Sequence, residues 1–315
     1  MADECFGHPR LAAIYDLLDP DRSDLDAYLR IARESKARRV LDIGCGTGVF
    51  ALLLADHGIE VVGVDPARAS IEVARAKPGS ERVRWICGDA TDLPPLQVDL
   101  ATMTANVAQA IVEPQGWQKT LQGTYEALRP GGQLVFETRN PAEHAWEQWT
   151  REFSHHVTEI PDVGSVESWV QLIETSLPLV TFRWTYVFAA DGQVLTSDST
   201  VRFRERDEVE RDLIAHGYVV DEIRDAPDRP GRELVFVARR PCDRGDAAAS
   251  PCATLRRQPA HGRPQKLRRT NARSASTMGP NRKNGREAPD IHAEPARCAG
   301  RSGSRSGTPS GPARR

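Results

Sequence analysis

This chain of 315 residues holds no apolar run approaching the ~18 residues that a membrane helix needs, and no apolar h-region follows its first residues. No membrane partner and no export signal are expected, and the sequence points to the cytoplasm. Its six cysteines, Cys5, Cys45, Cys87, Cys242, Cys252 and Cys298, include no C-x-x-C pair and no histidine at ligand spacing. Neither a thiolate metal site nor a dithiol redox centre is supported, so reduced thiols and no metal are expected. No internal repeat is visible. Residues 241–315 lack Phe, Trp, Tyr and Val altogether, and their only large apolar side chains are Leu255, Leu267, Met278 and Ile291. Such a segment cannot bury enough surface to offset the entropy of ordering it, so a disordered tail is expected.

Charge divides the chain at the same place. Residues 241–315 hold 16 of the 42 basic side chains and 5 of the 44 acidic ones, a net of +11. That leaves 26 basic against 39 acidic in residues 1–240, a net of −13, on a stretch long enough for a full core. Residues 1–240 are therefore read as one domain and 241–315 as a basic tail. Three readings of the tail stay open: a solvated extension, a basic arm for nucleic acid, or a shifted frame in GC-rich coding sequence. The arm lacks aromatics to stack on bases, so a nucleic-acid partner is not expected.

What the body does contain is Val40–Gly48, VLDIGCGTG, followed at Val61–Pro66 by VVGVDP. A short apolar strand runs into a turn with glycine at every second position, 44, 46 and 48. About one βαβ unit later a second apolar strand ends in Asp65. An α/β sheet holds a nucleoside in this way, with glycines admitting the ligand to the backbone and an acid gripping a ribose diol. A dinucleotide fingerprint would need Gly or Ala at position 49, where Val stands. No diphosphate cradle is evident, and the expected ligand thus carries an adenosine and no phosphate.

These residues resemble the class I S-adenosylmethionine (SAM)-dependent methyltransferases, small-molecule type, and the resemblance runs from about Tyr15 to Arg240. It continues in order through Val83–Cys87 with Gly88-Asp89-Ala90-Thr91-Asp92, Val98–Met103 with Thr104-Ala105-Asn106-Val107-Ala108-Gln109, and Leu128-Arg129-Pro130-Gly131-Gly132 before a fifth strand at Gln133–Thr138. The resemblance implies an α/β, Rossmann-like seven-stranded sheet with SAM as cofactor. It also implies the cofactor contacts. Asp42 and the loop Gly44, Cys45, Gly46, Thr47 and Gly48 face the amino-acid end. Asp65, beside Pro66, takes the ribose, Asp89 and Ala90 the adenine, and Thr104 lies by the sulfonium. Tyr15-Asp16 resembles the Tyr-Asp of small-molecule and sugar N-methyltransferases, whose aromatic covers SAM.

Elsewhere the periodicity predicts helices over Asp24–Glu34 with Ser23 as N-cap, Val49–His57, Ala67–Ala76, Gly116–Leu128 and Arg206–His216. Strands are predicted at Arg39–Ile43, Glu60–Val64, Tyr218–Arg224 and Glu233–Ala238. Asn140-Pro141-Ala142-Glu143 reads as the start of a helix carrying Trp146 and Trp149. Ser168–Ser176, Leu179–Ala189 and Gln193–Arg204 read as three antiparallel strands, with Asp191-Gly192 as a hairpin turn. Residues 141–204 therefore form an antiparallel insertion after strand 5, read as a lid or acceptor wall. Phe182, Trp184, Tyr186 and Phe188 share one face by alternation, with Arg183 on the other. That aromatic face is core packing or, alternatively, a homodimer surface.

The reaction implied is displacement at the SAM methyl by an N or O nucleophile of a small molecule. The [DN]-P-P-[YF] pattern of adenine-directed enzymes is missing after strand 4, as is the acidic pair of catechol-type enzymes. Tyr15, Asn106 and His155 are the candidates for positioning the acceptor, and Arg139 for an anionic one. Two other classes stay open: a nucleic-acid methyltransferase or binder using the basic tail, and a nicotinamide-dependent oxidoreductase, against which Val49 argues.

Overall fold

A computed structural model describes residues 2–242; the expectation of a disordered tail falls on residues outside them. The chain opens with two helices, α1 (Glu4–Gly7) and α2 (Pro9–Leu18), then α3 (Leu25–Glu34). Alternation follows through β1 (Arg39–Ile43), α4 (Val49–Asp56), β2 (Glu60–Asp65), α5 (Arg68–Ala76), β3 (Val83–Cys87), β4 (Val98–Met103), α6 (Val107–Ala110), α7 (Pro114–Ala127) and β5 (Leu128–Arg139). After β5 come α8 (Arg151–Ser154) and strands β6 (His156–Ile160), β7 (Gly164–Ser176), β8 (Leu179–Phe188) and β9 (Val194–Arg202). The chain then returns through α9 (Arg206–Ala215), β10 (Val219–Ala226) and β11 (Arg229–Arg239).

Seven strands form one sheet in the order β10-β11-β5-β4-β1-β2-β3, and only β11 runs antiparallel to its neighbours. Strands β1 and β4 are buried along nearly their whole length, because helices cover both faces and each strand can be apolar throughout. Strand β1 pairs with β2 on one side and β4 on the other. The order therefore reverses at β1, and the crevice beyond the carboxyl ends of β1 and β4 is the expected ligand position.

The insertion is a four-stranded antiparallel sheet, β6-β7-β8-β9, rather than three strands. Strand β6 escaped the sequence reading because His156–Ile160 is short, polar and mostly exposed. The helix expected after Asn140 is also corrected. Asn140 does accept from Ala142 N at 3.2 Å. The chain then makes two short 3-10 turns, Pro141–Glu143 and Ala145–Gln148, broken by His144 at φ +45°. That break lets Trp146 and Trp149 both pack edge-on or tilted against Phe203. Ser23 is no side-chain cap for α3: it contributes only its backbone carbonyl, to Asp26 N.

Phe182, Trp184, Tyr186 and Phe188 all point inward and are buried. They cluster with Cys5, Leu11 and Ile14 of the N-terminal helices and with both tryptophans. Each such side chain contributes roughly 2–3 kcal/mol of transfer free energy, which fixes this sheet onto the body. The aromatic face is thus covered within one chain, and Arg183 faces out, paired with Asp198 at 2.6 Å. Polar ties reinforce the seam: Cys5 N donates to Ser197 Oγ at 2.9 Å, Arg10 pairs with Asp191 at 2.7 Å, and its guanidinium lies 3.6 Å over the Phe188 ring. Among the described residues Cys5, Cys45 and Cys87 are free thiols. Among the described residues no helix is long and apolar enough to cross a membrane.

Candidate active site

Beyond the ends of β1–β4 lies a cavity of about 140 Å³. The turn after β1 forms its floor. Gly46 adopts φ +52°, and a Cβ there would meet nothing within 4 Å, so its backbone faces open cavity. Gly48 is different. At φ +83° it abuts Trp85 and Ala74, whose side-chain atoms would lie 2.5 and 2.9 Å from a Cβ. Gly48 does not line the cavity, and its role is to let α4 pack against β3 and α5. The sequence reading assigned every glycine of the turn to the ligand; the structure gives Gly48 to the core.

Asp65, at the end of β2, braces this turn. Its Oδ2 accepts from Gly46 N at 2.9 Å and its Oδ1 from Ala67 N at 2.7 Å, tying the glycine loop to the start of α5. Burial pushes its carboxyl up to about 6, against the pull of those two N–H donors. Asp42 lies deeper still, at 1% exposure. Thr102 donates to its Oδ1 at 3.0 Å, while Oδ2 has no partner among the described residues. Burial raises this carboxyl to about 7. A second brace comes from α2 and the end of α5: Thr47 Oγ1 donates to Asp16 Oδ1 at 2.5 Å, and Lys77 Nζ reaches Asp16 Oδ2 at 2.5 Å and the Thr47 carbonyl at 2.7 Å.

Of the other expected contacts, Gly44, Cys45, Thr47, Pro66, Asp89, Ala90, Thr104 and Tyr15 all line the cavity. Asp89 is engaged locally, accepting from Thr91 N at 2.8 Å and Thr91 Oγ1 at 2.5 Å. Tyr15 stands beside Phe6, with ring centroids 5.2 Å apart. Three candidates lie elsewhere. Asn106 is buried behind the wall rather than in it. His155 sits on the outer side of the insertion, 2.8 Å from Glu167 and near Trp169, because its strand neighbours turn the opposite face to the core. Arg139 is buried against Gln109 Oε1 at 3.0 Å and Trp149, so it does not meet an acceptor in the cavity. Arg22, in the loop before α3, lines the cavity near Asp42 and leans on Asp24 at 3.2 Å. Nothing in the local sequence singled it out, because its loop carries no motif and its neighbour is 20 residues away.

Residues 40–132 match the family model described as a methyltransferase domain. The chain is 35% identical over 133 residues to the cypemycin N-terminal methyltransferase of Streptomyces sp., covering 41% of this chain and 54% of that protein. It is 28% identical over 154 residues to an O-methyltransferase of Aspergillus sclerotiorum, covering 47% and 58%. These matches span little more than half of the two relatives' lengths. The solved structure of the methyltransferase CcbJ from Streptomyces caelestis superposes with a TM-score of 0.62 at 22% identity, covering 76% of this chain and 100% of that one.

Proposed function

From its place among the class I SAM-dependent methyltransferases, to which this chain belongs, we propose that it methylates the nitrogen of an amine on a small molecule. The cofactor reading rests on Asp42. A carboxylate buried to this depth with one oxygen unpartnered is costly unless a ligand supplies a donor or a positive charge. SAM brings an ammonium group to such a carboxylate, and its sulfonium makes the methyl an electrophile without help from the protein. Asp42, the Gly44–Thr47 loop and Arg22 would hold the amino-acid end. Asp65 and Pro66 would hold the ribose, Asp89 and Ala90 the adenine, and Thr104 and Tyr15 would flank the methyl.

The choice of nitrogen rests on where the titratable groups stand. Among the described residues lining the cavity, the carboxylates are Asp42, Asp65 and Asp89, at the tips of β1, β2 and β3. The β4 side offers Thr104, Ala105 and Val107, with Tyr15 nearby. An alcohol acceptor needs a base close to the attacking oxygen, whereas an amine attacks once it is neutral. What this wall supplies is alignment and exclusion of water. The insertion 141–204 forms the outer acceptor wall on this reading, its Trp146 and Trp149 packed inward rather than offered to ligand. Incubating the full chain with SAM and matched panels of primary amines and alcohols, and following S-adenosylhomocysteine by mass spectrometry, tests the proposal. Turnover on amines with a pH profile set by the acceptor's own pKa is expected; turnover on alcohols alone would overturn it. Calorimetry with SAM and NAD side by side separates the oxidoreductase class.

The raised carboxyls of Asp42 and Asp65 give a further expectation with a definite sign. A protonated Asp42 cannot pair with an ammonium, so SAM affinity falls as pH drops through about 7 and then about 6. We expect binding at least tenfold weaker at pH 5 than at pH 8, measured by calorimetry with the buffer ionisation heat subtracted. The ligand-free protein moves the opposite way. An acid whose folded pKa lies above its unfolded value binds more protons when folded, so these two groups lower stability as pH rises from about 4 to 7. A pH-independent affinity would show that Asp42 does not face the cation.

A further inference from the structure

Two buried carboxylates stand behind the cavity wall and take no part in the chemistry above. Glu137 near the end of β5 and Glu233 near the start of β11 lie on neighbouring antiparallel strands, with Val235 opposite Glu137 and Arg139 opposite Glu233. Both are buried. Glu137 Oε1 accepts the backbone N–H of Asn106 at 2.8 Å, and Glu233 Oε1 accepts its side-chain Nδ2 at 2.8 Å. Asn106 is itself 1% exposed, and its Oδ1 has no partner among the described residues. The carboxylate decides which way the amide points, because the opposite orientation would set two acceptors face to face. Arg229 pairs with Glu233 at 2.8 Å, and Tyr28 of α3 bonds to Glu137.

A buried carboxylate is costly unless its acceptors are needed. Here the backbone needs them. Ala105 and Asn106 are consecutive left-handed residues, at φ +59° and +60°, and neither is glycine. Side chains disfavour that region, so two in a row store strain that the surroundings must hold. The strained turn is part of the cavity: Thr104, Ala105 and Val107 all line it.

We propose that Glu137 and Glu233 are positioning residues for methyl transfer: by gripping Asn106 from behind, they hold Ala105–Asn106 left-handed and so set the wall where methyl donor and acceptor meet. This rests on the cofactor reading given above. Hydrogen bonds available only to the left-handed turn shift its equilibrium toward that form. The grip comes from β5 and β11, whereas the groups assigned to the adenosine and amino-acid ends stand at β1–β3 and in the loop before α3. The two halves of the site are therefore separable by measurement.

The test compares Asn106→Ala with Asn106→Gly. Both lose the contact to Glu233 and keep the backbone N–H for Glu137. They differ in that glycine enters the left-handed region freely and alanine does not. The probes are S-adenosylhomocysteine, which lacks the methyl, and sinefungin, which carries an amine-bearing carbon at the methylsulfonium position. Dissociation constants for S-adenosylhomocysteine should stay within about twofold of wild type in both variants. For sinefungin the constant should rise at least fivefold in Asn106→Ala and stay within twofold in Asn106→Gly. Glu137→Gln, which keeps an acceptor oxygen, should track wild type, while Glu137→Leu should track Asn106→Ala. If Glu137→Leu does not fold, the Asn106 pair still decides. Equal sinefungin binding by the alanine and glycine variants, whether both weak or both intact, would overturn the proposal. Failure of wild-type protein to bind S-adenosylhomocysteine would instead remove the cofactor reading itself.

Discussion

We expect Asp65→Ala to lower SAM affinity by roughly 30- to 1,000-fold and to leave the melting temperature within a few degrees of wild type. The expectation follows from what the carboxylate does on each side. Toward a ribose it would offer two acceptors, and hydrogen bonds to a charged group contribute about 1.5–3 kcal/mol each net of solvent; because both oxygens already accept a backbone N–H, the pair contributes roughly 2–4 kcal/mol together. Toward the protein it holds Gly46 N and Ala67 N. Losing those two bonds destabilises the loop, but removing a carboxylate that burial has pushed up to about 6 offsets part of that loss. The two effects oppose each other in the free protein, whereas the complex loses the ribose contacts as well. Calorimetric titration and a thermal melt on the same preparation separate them. A melting temperature that drops sharply while affinity holds within threefold would make Asp65 a cap for α5 and nothing more.

The parts of this site that could be read from sequence are those built by neighbours in the chain. The turn after β1, the acid ending β2 and the acid after β3 each sit within a few residues of the strand that carries them, so spacing alone puts them at one sheet edge. The aromatic face of β8 was legible for the same reason: alternation is a local property, and Phe182, Trp184, Tyr186 and Phe188 obey it. What escaped depends on contacts distant in sequence. Asn106 meets Glu137 and Glu233 at separations of 31 and 127 residues, and Asp16 meets Thr47 across 31. His155 was a candidate for positioning the acceptor because its chemistry suits that role, but its placement is set by which face of the insertion packs on α1 and α2. The turn after Asn140 misled in another way. Its capping signal is real, yet a left-handed His144 stops the helix so that two tryptophans can reach one core.

The glycine turn itself offers the sharpest contrast, because substitutions two residues apart should fail for different reasons. In Gly46→Val the new side chain projects into open cavity, so its cost to the fold is the left-handed backbone alone, about 1–2 kcal/mol. Its branched carbons, however, occupy the space a ligand must enter, and SAM binding should fall below detection. In Gly48→Val the same left-handed cost is joined by overlap with Trp85 and Ala74, at 2.5 and 2.9 Å from the Cβ. Overpacking a filled core adds about 1–3 kcal/mol or more, for a total of roughly 2–5 kcal/mol against a typical stability of about 5–15. At about 2–4 °C per kcal/mol for a domain of this size, the melting temperature should fall by roughly 4–20 °C. Protein that remains folded at low temperature should still bind SAM, because Gly48 stands outside the cavity. The measurement is a melt and a titration for each variant. If Gly46→Val instead binds SAM like wild type, the cavity over this turn is not where the cofactor lies, and every assignment resting on Asp42 and Asp65 falls with it.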